Sequence, residues 1–170
     1  MNNMRAVLLD RDGVLNEEIG GVHKFKDFVL LPNTKDAIDN IHNAGYLAIV
    51  ITNQSCISKW KITKEEYDKI CKALYDIGID AIFTCPHDKK QHCPCRKPKI
   101  YLYERAAIRY KLDLNECYAI GDSTRDIQAW HDAGCKTVWV LTGKACKDKE
   151  CKIIPDEFST NLFEWTKKIC

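Results

Sequence analysis

The sequence predicts an α/β fold, a doubly wound parallel β-sheet with helices on both faces. Five short apolar segments alternate with segments whose apolar residues recur at helical spacing, and repeated strand–helix–strand units build parallel sheets. The apolar segments are also unbroken, as expected of strands that are buried on both faces. A chain of 170 residues is long enough to bury such a core, and we predict a single domain over residues 1–170.

The N-terminal part of the chain provides two strands, one helix and a flap. The first strand is Ala6–Leu9, and the second covers residues 46–51. The helix between them begins after Asn33, a good N-cap residue, and ends before Gly45, because glycine is common just past a helix end. Residues 17–31 are long for a loop, and we predict that they form a small flap over the site.

The middle of the chain provides the second and third helices and the third strand. Thr63 and Glu66 match a capping box, and Gly78 ends the helix that they begin. The strand is predicted at residues 79–84. Pro98 suits the first turn of the third helix, where its missing N–H group has no cost.

The C-terminal part provides two strands, at residues 117–120 and 137–141, around a helix that Ser123 caps and Gly134 ends. Residues 144–155 are polar and are predicted to form an exposed loop. The last helix is marked by apolar spacing at Leu162, Trp165, Thr166 and Ile169.

The charge balance excludes several classes of partner. Lys and Arg number 26 and Asp and Glu number 24, so the net charge is only +2, which argues against a nucleic-acid partner. No apolar run approaches the ~20 residues that a membrane span needs. Because the first five residues are polar and lead directly into a strand, we predict no signal peptide. We therefore expect a cytoplasmic monomer.

Ten cysteines are unusual for a chain of this length. Without an export signal, a reducing compartment explains them better than disulfides, with some cysteines on a metal and others in the core. We predict core positions for Cys71, Cys117 and Cys135. Cys146 and Cys151 are predicted to be free exposed thiols, with a disulfide or a second metal site as alternatives.

Polar residues follow four of the predicted strands. In open parallel sheets, ligands bind beyond the carboxyl ends of the strands, so these residues should converge at one edge. Several carboxylates without matching cations favour a divalent metal, and nearby donors and cations suit phosphoryl transfer. Each segment taken alone could be a simple turn or helix cap, but their joint occurrence at one edge favours a catalytic site. The four segments are Asp10-Arg11-Asp12-Gly13, Thr52-Asn53-Gln54-Ser55, Arg96-Lys97 and Gly121-Asp122-Ser123-Thr124-Arg125-Asp126.

With these motifs in this order, the chain resembles the haloacid dehalogenase superfamily over residues 5–144. Within it, the chain is similar to a branch of small, nearly capless, zinc-bearing phosphatases with a Rossmann-like fold. The resemblance implies that Asp10 is the nucleophile and that Asp12 is the general acid and base. It also implies that Mg²⁺ is held by Asp10, Asp122 and the backbone carbonyl of Asp12.

The resemblance further implies which residues bind substrate. Thr52 and Lys97 would bind the phosphoryl oxygens, and Asn53 and Arg96 would contact the substrate. Asp126 is expected to orient its neighbours rather than to bind the metal.

A Cys/His cluster predicts a second metal. Cys85, His87, Cys93 and Cys95 supply three thiolates and one imidazole within eleven residues, a set that suits tetrahedral structural Zn²⁺. Free thiols are the alternative, and His92 could compete with His87. Because Arg96 and Lys97 follow the last ligand, zinc would fix where both cations point.

The resemblance leaves three functions open. The first is removal of the 7-phosphate of D-glycero-D-manno-heptose 1,7-bisphosphate, which Asn16 and Ser55 favour. The second is histidinol-phosphate hydrolysis, and the third is a non-catalytic zinc-stabilised binding protein. Cys56, Lys59 and Trp60 replace the usual Gly and Arg-Gly of the family, which leaves substrate choice open.

A site without a large cap must select its substrate through a few charged contacts. We therefore predict that Arg96 binds a second phosphate, because a guanidinium can donate two parallel hydrogen bonds. Lys59 is a weaker candidate. The alternative is that Arg96 only braces the zinc loop.

Overall fold

The computed structural model describes residues 4–170. The prediction of no signal peptide concerns the N-terminal segment, whose first three residues lie outside the described part. The described chain forms one six-stranded sheet in the order β3-β2-β1-β4-β5-β6, and every neighbouring pair is parallel. The strands are β1 (Ala6–Leu9), β2 (Leu47–Asn53), β3 (Ala81–Cys85), β4 (Tyr118–Gly121), β5 (Lys136–Val140) and β6 (Glu157–Ser159). The helices are α1 (Thr34–Asn43), α2 (Lys64–Asp76), α3 (Tyr101–Tyr110), α4 (Thr124–Asp132) and α5 (Leu162–Thr166).

Helices cover both faces of the sheet, which confirms the doubly wound α/β prediction. A buried apolar cluster lies on each face of the sheet, where the helices pack against the strands. The first cluster holds Ile38 of α1, Leu74 of α2 and Trp165 of α5. The second holds Tyr103 of α3 and Trp130 of α4.

The chain reverses its winding direction at β1, which lies between β2 and β4. Leu9 of β1 pairs with Val50 of β2 on one side and with Ile120 of β4 on the other. Immediately beyond this pairing, the Asp10 amide donates to the Ile120 carbonyl at 3.0 Å. This is the topological switch point, where open α/β sheets bind their ligands.

Two local predictions were wrong, and one strand was missed. Pro98 lies before α3, which begins only at Tyr101. Asn33 occupies the N-cap position of α1 but has a left-handed backbone (φ 60°), and its side chain makes no capping bond. Strand β6 was missed because it has only three residues, Glu157–Ser159, none of them buried, so it carries no apolar run.

The capping box predicted at α2 forms only in part. Thr63 caps the helix by accepting a hydrogen bond from the Glu66 amide. Glu66 does not return the bond, because its carboxylate instead accepts from the Phe25 amide at 2.5 Å. This bond ties the predicted flap to the start of α2.

The flap forms as predicted and closes on itself. The Glu17 amide donates to the Val29 carbonyl, and the Leu31 amide donates to the Leu15 carbonyl, both at 2.9 Å. A single antiparallel bridge joins Asn16 and Leu30. The two ends of the flap are therefore fixed beside β1.

Residues 144–155 are less exposed than predicted. Cys146 is buried in the second apolar cluster, and Cys151 is half-buried. Both cysteines were predicted to be exposed. The prediction was wrong for Cys146 because its sequence neighbours are charged although its own side chain faces inward.

Among the described helices, none has the length and apolar character required to cross a membrane.

Candidate active site

The polar residues that follow the strands line one cavity of about 250 Å³ at the carboxyl edge of the sheet. Most of the side chains predicted to act on a substrate lie in its wall. The predicted residues in its wall are Asp10, Asp12, Thr52, Asn53, Lys59, Arg96 and Lys97. The flap contributes His23, Gly20 and Gly21 to the same wall.

Three carboxylates form a buried cluster beside this cavity. Oxygen atoms of Asp10, Asp122 and Asp126 all lie within 4.8 Å of one another. Burial and the charge of Asp126 raise the pKa of Asp10 to about 6, and burial and the charge of Asp10 raise the pKa of Asp122 to about 8. Hard oxygen ligands that repel one another in this way fit a divalent cation such as Mg²⁺.

Lys97 balances part of this negative charge. Its Nζ atom lies 2.9 Å from Asp10 Oδ1 and 2.7 Å from Asp126 Oδ1, and it donates to the Ile51 carbonyl at 2.8 Å. Burial alone would lower the pKa of Lys97, but the charges of Asp10 and Asp126 raise it above its ordinary value. Lys97 is therefore a buried ammonium group that stays protonated at neutral pH beside the predicted nucleophile.

Asp126 holds neighbouring groups through hydrogen bonds. That it does not also bind the metal stays a prediction, because its carboxylate belongs to the three-carboxylate cluster. Its Oδ2 atom accepts hydrogen bonds from the Ser123 amide and hydroxyl, at 3.2 and 2.5 Å. Ser123 in turn caps α4, so these two residues form the capping box of that helix. Asp126 thus joins Lys97 to the start of α4.

Asp12 faces away from the three-carboxylate cluster. Arg11, which is only 1% exposed, donates two hydrogen bonds to Asp12 Oδ1 and one to Oδ2, at 2.7 to 3.1 Å. Asn16 and Gln54 donate to the same carboxylate at 2.9 and 2.8 Å. Although burial opposes ionisation, Arg11 and these donors lower the pKa of Asp12 below its ordinary value. These hydrogen bonds therefore fix the Asp12 side chain in the cavity wall, apart from the three-carboxylate cluster that fits a metal.

Two glycines shape the pocket around Asp122. A Cβ atom on either Gly13 or Gly143 would overlap the Asp122 carboxylate, and both glycines have positive φ, at 82° and 60°. The Lys144 amide donates to Asp122 Oδ2 at 2.7 Å. Segments that are distant in sequence therefore hold this carboxylate in place.

The residues after β2 position the Arg96-Lys97 segment. Asn53 accepts from the Lys97 amide at 3.0 Å and donates to the Lys97 carbonyl at 3.3 Å. Buried Thr52 accepts from Gln54 at 2.9 Å. Because both polar groups of Asn53 bind the Lys97 backbone, this residue aligns two neighbouring loops at the cavity.

The predicted zinc ligands lie together. Sγ atoms of Cys85, Cys93 and Cys95 are 3.3 to 3.6 Å apart, and His87 Nδ1 lies 3.2 Å from the Cys95 sulfur. Ligands at about 2.3 Å from a tetrahedral zinc would be about 3.8 Å apart, so the four groups fit such an ion. His92 is exposed and lies outside this group.

Arg96 connects this cluster to the cavity. One of its terminal nitrogens donates to the His87 carbonyl at 3.1 Å, and its side chain also lines the cavity. Lys59 pairs with Asp88 of the same loop at 2.6 Å. Both predicted phosphate-binding cations are thus anchored to the Cys/His loop.

No role was predicted for several residues of the cavity wall. They include the cations Lys61, Arg125 and Lys144 and the flap carboxylate Glu18. Arg125 lies inside one of the four segments predicted to converge here, and Lys144 ends the stretch that resembles the family, so these two positions could have been found. Lys61 had no such signal.

The positions that depart from the family pattern lie in the loop after β2. Trp60 adopts φ +55° and is 92% exposed, a left-handed conformation that glycine adopts at no steric cost. The Trp60 amide donates to the Ile57 carbonyl at 3.0 Å. Cys56 has no such conformation, so the replacement of glycine strains the loop at Trp60 rather than at Cys56.

Of the remaining cysteines, Cys117 and Cys135 are buried, as predicted. Cys71 is only half-buried, so the prediction of a core position was wrong. It lies on α2 one residue after buried Ile70, at the margin of the apolar face.

A Rossmann-like parallel sheet whose switch point carries Asp10, Asp12, Lys97 and the carboxylate cluster defines the class of the haloacid dehalogenase-like hydrolases. In agreement, residues 94–164 match the HAD-hydrolase-like family model. The D-glycero-beta-D-manno-heptose-1,7-bisphosphate 7-phosphatase of Bordetella bronchiseptica is 38% identical over 151 residues, covering 85% of this chain and 84% of the relative. The chain therefore belongs to the family of the D-glycero-D-manno-heptose-1,7-bisphosphate 7-phosphatases.

Two further comparisons agree with this assignment. The D-glycero-alpha-D-manno-heptose-1,7-bisphosphate 7-phosphatase of Photorhabdus laumondii is 31% identical, covering 99% of this chain and 98% of the relative. The crystal structure of the D,D-heptose 1,7-bisphosphate phosphatase from B. bronchiseptica, complexed with magnesium and phosphate, has a TM-score of 0.88 at 32% identity. It covers 98% of both chains.

Proposed function

We propose that the protein is a Mg²⁺-dependent phosphatase that removes the 7-phosphate of D-glycero-D-manno-heptose 1,7-bisphosphate. The observation that carries this proposal is the buried cluster of Asp10, Asp122 and Asp126, placed beside Lys97 in an open cavity. The family supports the substrate, and the names of its members include both the alpha and the beta anomer. A non-catalytic zinc protein would leave this cluster and Asp12 without a role.

Asp10 is the nucleophile of the proposed reaction. Its Oδ1 atom accepts from the Arg11 amide at 2.8 Å and from Lys97 at 2.9 Å, which leaves Oδ2 free to attack phosphorus. The new bond joins Oδ2 to phosphorus, and the bond between phosphorus and the sugar oxygen breaks. Lys97 and Thr52 stabilise the charge that develops on the phosphoryl oxygens.

Asp12 moves the proton in both halves of the reaction. It first protonates the departing sugar oxygen, and it then takes a proton from the water that hydrolyses the aspartyl-phosphate. The incoming phosphate brings negative charge beside Asp12, which raises the pKa that Arg11 lowers in the resting site. Arg11, Asn16 and Gln54 keep the carboxylate oriented throughout.

Two metals complete the proposal. Asp10, Asp122 and the Asp12 backbone carbonyl would hold Mg²⁺, which neutralises the repulsion between carboxylate and phosphate when bound. Cys85, His87, Cys93 and Cys95 would hold a structural Zn²⁺. The zinc loop would then fix Arg96 and Lys97 at the cavity.

We also propose that the enzyme acts as a cytoplasmic monomer. None of the ten cysteines forms a disulfide, which fits a reducing compartment. The residues proposed for catalysis all come from one chain, so the reaction needs no partner subunit.

Phosphate release from a panel of substrates tests the proposed function. With Mg²⁺ present, we expect kcat/KM for heptose 1,7-bisphosphate to exceed that for histidinol phosphate by at least about tenfold, because the second phosphate adds one charge-assisted contact. Fructose 1,6-bisphosphate also has two phosphates, so it tests whether the enzyme distinguishes the sugar. Both anomers should be assayed. Histidinol phosphate as the best substrate would overturn the heptose assignment.

The stabilisation by Mg²⁺ should depend on pH. Because the pKa values of Asp10 and Asp122 are raised to about 6 and about 8, the folded metal-free protein binds more protons than the unfolded chain between about pH 4 and 8. These two groups therefore make the metal-free protein less stable as pH rises through this range.

Mg²⁺ binds the ionised carboxylates, so its stabilising effect should grow over the same range. Near pH 8, Mg²⁺ at 100 times its Kd should add about 2.7 kcal/mol to the free energy of unfolding, and near pH 5 the same concentration should add much less. Urea denaturation with and without Mg²⁺ measures both values, with Asp122→Asn as the control that lacks the response. Equal stabilisation at both pH values would contradict the assignment of the site.

A further inference from the structure

The catalytic cavity continues into a second cavity between the flap and the start of α2, which we name the flap groove. The groove has a volume of about 600 Å³, and His23 and Lys61 line both it and the catalytic cavity. A substrate bound at Asp10 can therefore extend past these two residues into the groove.

The flap groove carries an excess of positive charge. Four lysines and one carboxylate line it: Lys24, Lys26, Lys61, Lys69 and Glu66. Lys69 pairs with Glu65 and Glu66 at 2.8 and 3.2 Å. Within residues 4–170, Lys24, Lys26 and Lys61 form no ion pair, so they remain available to an anion.

The other lysines and arginines of the catalytic cavity are already engaged. Lys97 binds Asp10 and Asp126, and Lys59 binds Asp88. Arg125 and Lys144 lie 3.5 and 3.8 Å from glutamates. Among the described residues, Lys61 is the lysine of this cavity that has no acidic partner.

A cavity on the opposite side, next to the Cys/His loop, is less suited to an anion. Glu150 lies in its wall, 3.5 Å from Arg125. Lys99 there donates to the carbonyls of His92 and Cys93 at 3.1 and 2.7 Å, and Arg96 donates to the His87 carbonyl. Among the described residues of this wall, Lys89 alone is a cation without an acidic or backbone partner, whereas the flap groove has three such cations, Lys24, Lys26 and Lys61.

The groove is also held in shape. Lys61 donates its amide to the Cys56 carbonyl at 2.9 Å, and the next residue, Ile62, is buried. On the opposite wall, Glu66 accepts from the Phe25 amide at 2.5 Å and so ties the flap to α2. The position of the Lys61 backbone relative to the catalytic cavity is thus fixed before a substrate binds.

We propose that Lys61 is a specificity-determining residue that binds the phosphate at the far end of the substrate, the one that is not hydrolysed, in the flap groove. This inference rests on the proposed bisphosphate phosphatase function. It assigns the choice between bisphosphate and monophosphate to the flap side of the cavity rather than to Arg96.

The test compares Lys61→Gln with a matched control, Lys89→Gln, which removes an exposed lysine from the opposite cavity. The substrates are heptose 1,7-bisphosphate and heptose 7-phosphate. In Lys61→Gln, we expect KM for the bisphosphate to rise about tenfold with little change in kcat, as for loss of one charge-assisted contact made equally in the ground and transition states. Both constants for the monophosphate should stay within twofold, and Lys61→Arg should restore most of the loss.

Three results would overturn the inference. The first is an equal loss on both substrates in Lys61→Gln. The second is a selective loss of bisphosphate activity in Lys89→Gln or Arg96→Ala without one in Lys61→Gln. The third is a wild-type enzyme that hydrolyses both substrates with equal kcat/KM, which would leave the phosphatase function intact. A wild-type enzyme inactive on both substrates would instead overturn the proposed function, and this inference with it.

Discussion

Replacing Asp10 with asparagine should abolish turnover while leaving the fold intact. The substitution keeps the shape of the side chain but removes the negative charge from the oxygen that we propose attacks phosphorus. It also leaves Lys97 with Asp126 as its remaining carboxylate partner. We expect kcat to fall by at least about 10³-fold, the scale seen when a nucleophile is removed. Phosphate release with saturating Mg²⁺ measures this loss.

The matched control is Asp36→Asn on α1. Asp36 is exposed and lies in the first turn of that helix, so the same chemical change should leave kcat within twofold. Circular dichroism of both variants checks that the helices persist. Turnover within tenfold of wild type in Asp10→Asn would contradict the aspartyl-phosphate mechanism.

Replacing Cys93 with serine should release zinc and lower both stability and activity. Structural zinc contributes about 10–16 kcal/mol in small peptides, and even a few kcal/mol lost from a domain of this size lowers Tm by more than about 5 °C. Activity should fall although neither proposed catalytic carboxylate is touched, because Arg96 binds the His87 carbonyl of the loop and Lys97 follows Cys95 by two residues. Metal analysis should find about one zinc per wild-type chain and less in the variant.

Cys170→Ser is the control for this experiment. Cys170 is an exposed free thiol outside the four-ligand cluster, so the variant should keep its zinc, Tm and activity. Full zinc content and unchanged activity in Cys93→Ser would contradict the structural role of the loop.

The sequence predicts the fold well because its signals are local and repeated. Every long apolar run became a strand of the parallel sheet. The cap residues and glycines named for helix ends all lie at observed ends: Asn33, Gly45, Thr63, Gly78, Ser123 and Gly134. Strand β6 was not predicted because this edge strand has only three residues and none of them is buried, so its sequence has no apolar run. The helix start predicted at Pro98 was wrong because proline suits the turn before a helix as well as the first turn of the helix itself.

The sequence also predicts which residues gather at the site, but not how each is engaged. Strand order alone brings Asp10, Thr52 and Asp122 to one edge. By contrast, the pairing of Lys59 with Asp88 and the free state of Lys61 depend on side-chain geometry across loops. Such contacts leave no periodic pattern, so the charge balance of the cavity emerges only from the three-dimensional arrangement.

The close packing of Gly13 and Gly143 around Asp122 has a consequence for how the enzyme is made. A nascent chain that has left the ribosome only as far as β3 already contains the proposed nucleophile and acid, Asp10 and Asp12, and Thr52. It still lacks Asp122, the Lys144 amide that holds it and Gly143, which encloses it. Because β1 must also wait for β4 as its second neighbour, we expect the site to be completed late in synthesis and incomplete chains to be inactive.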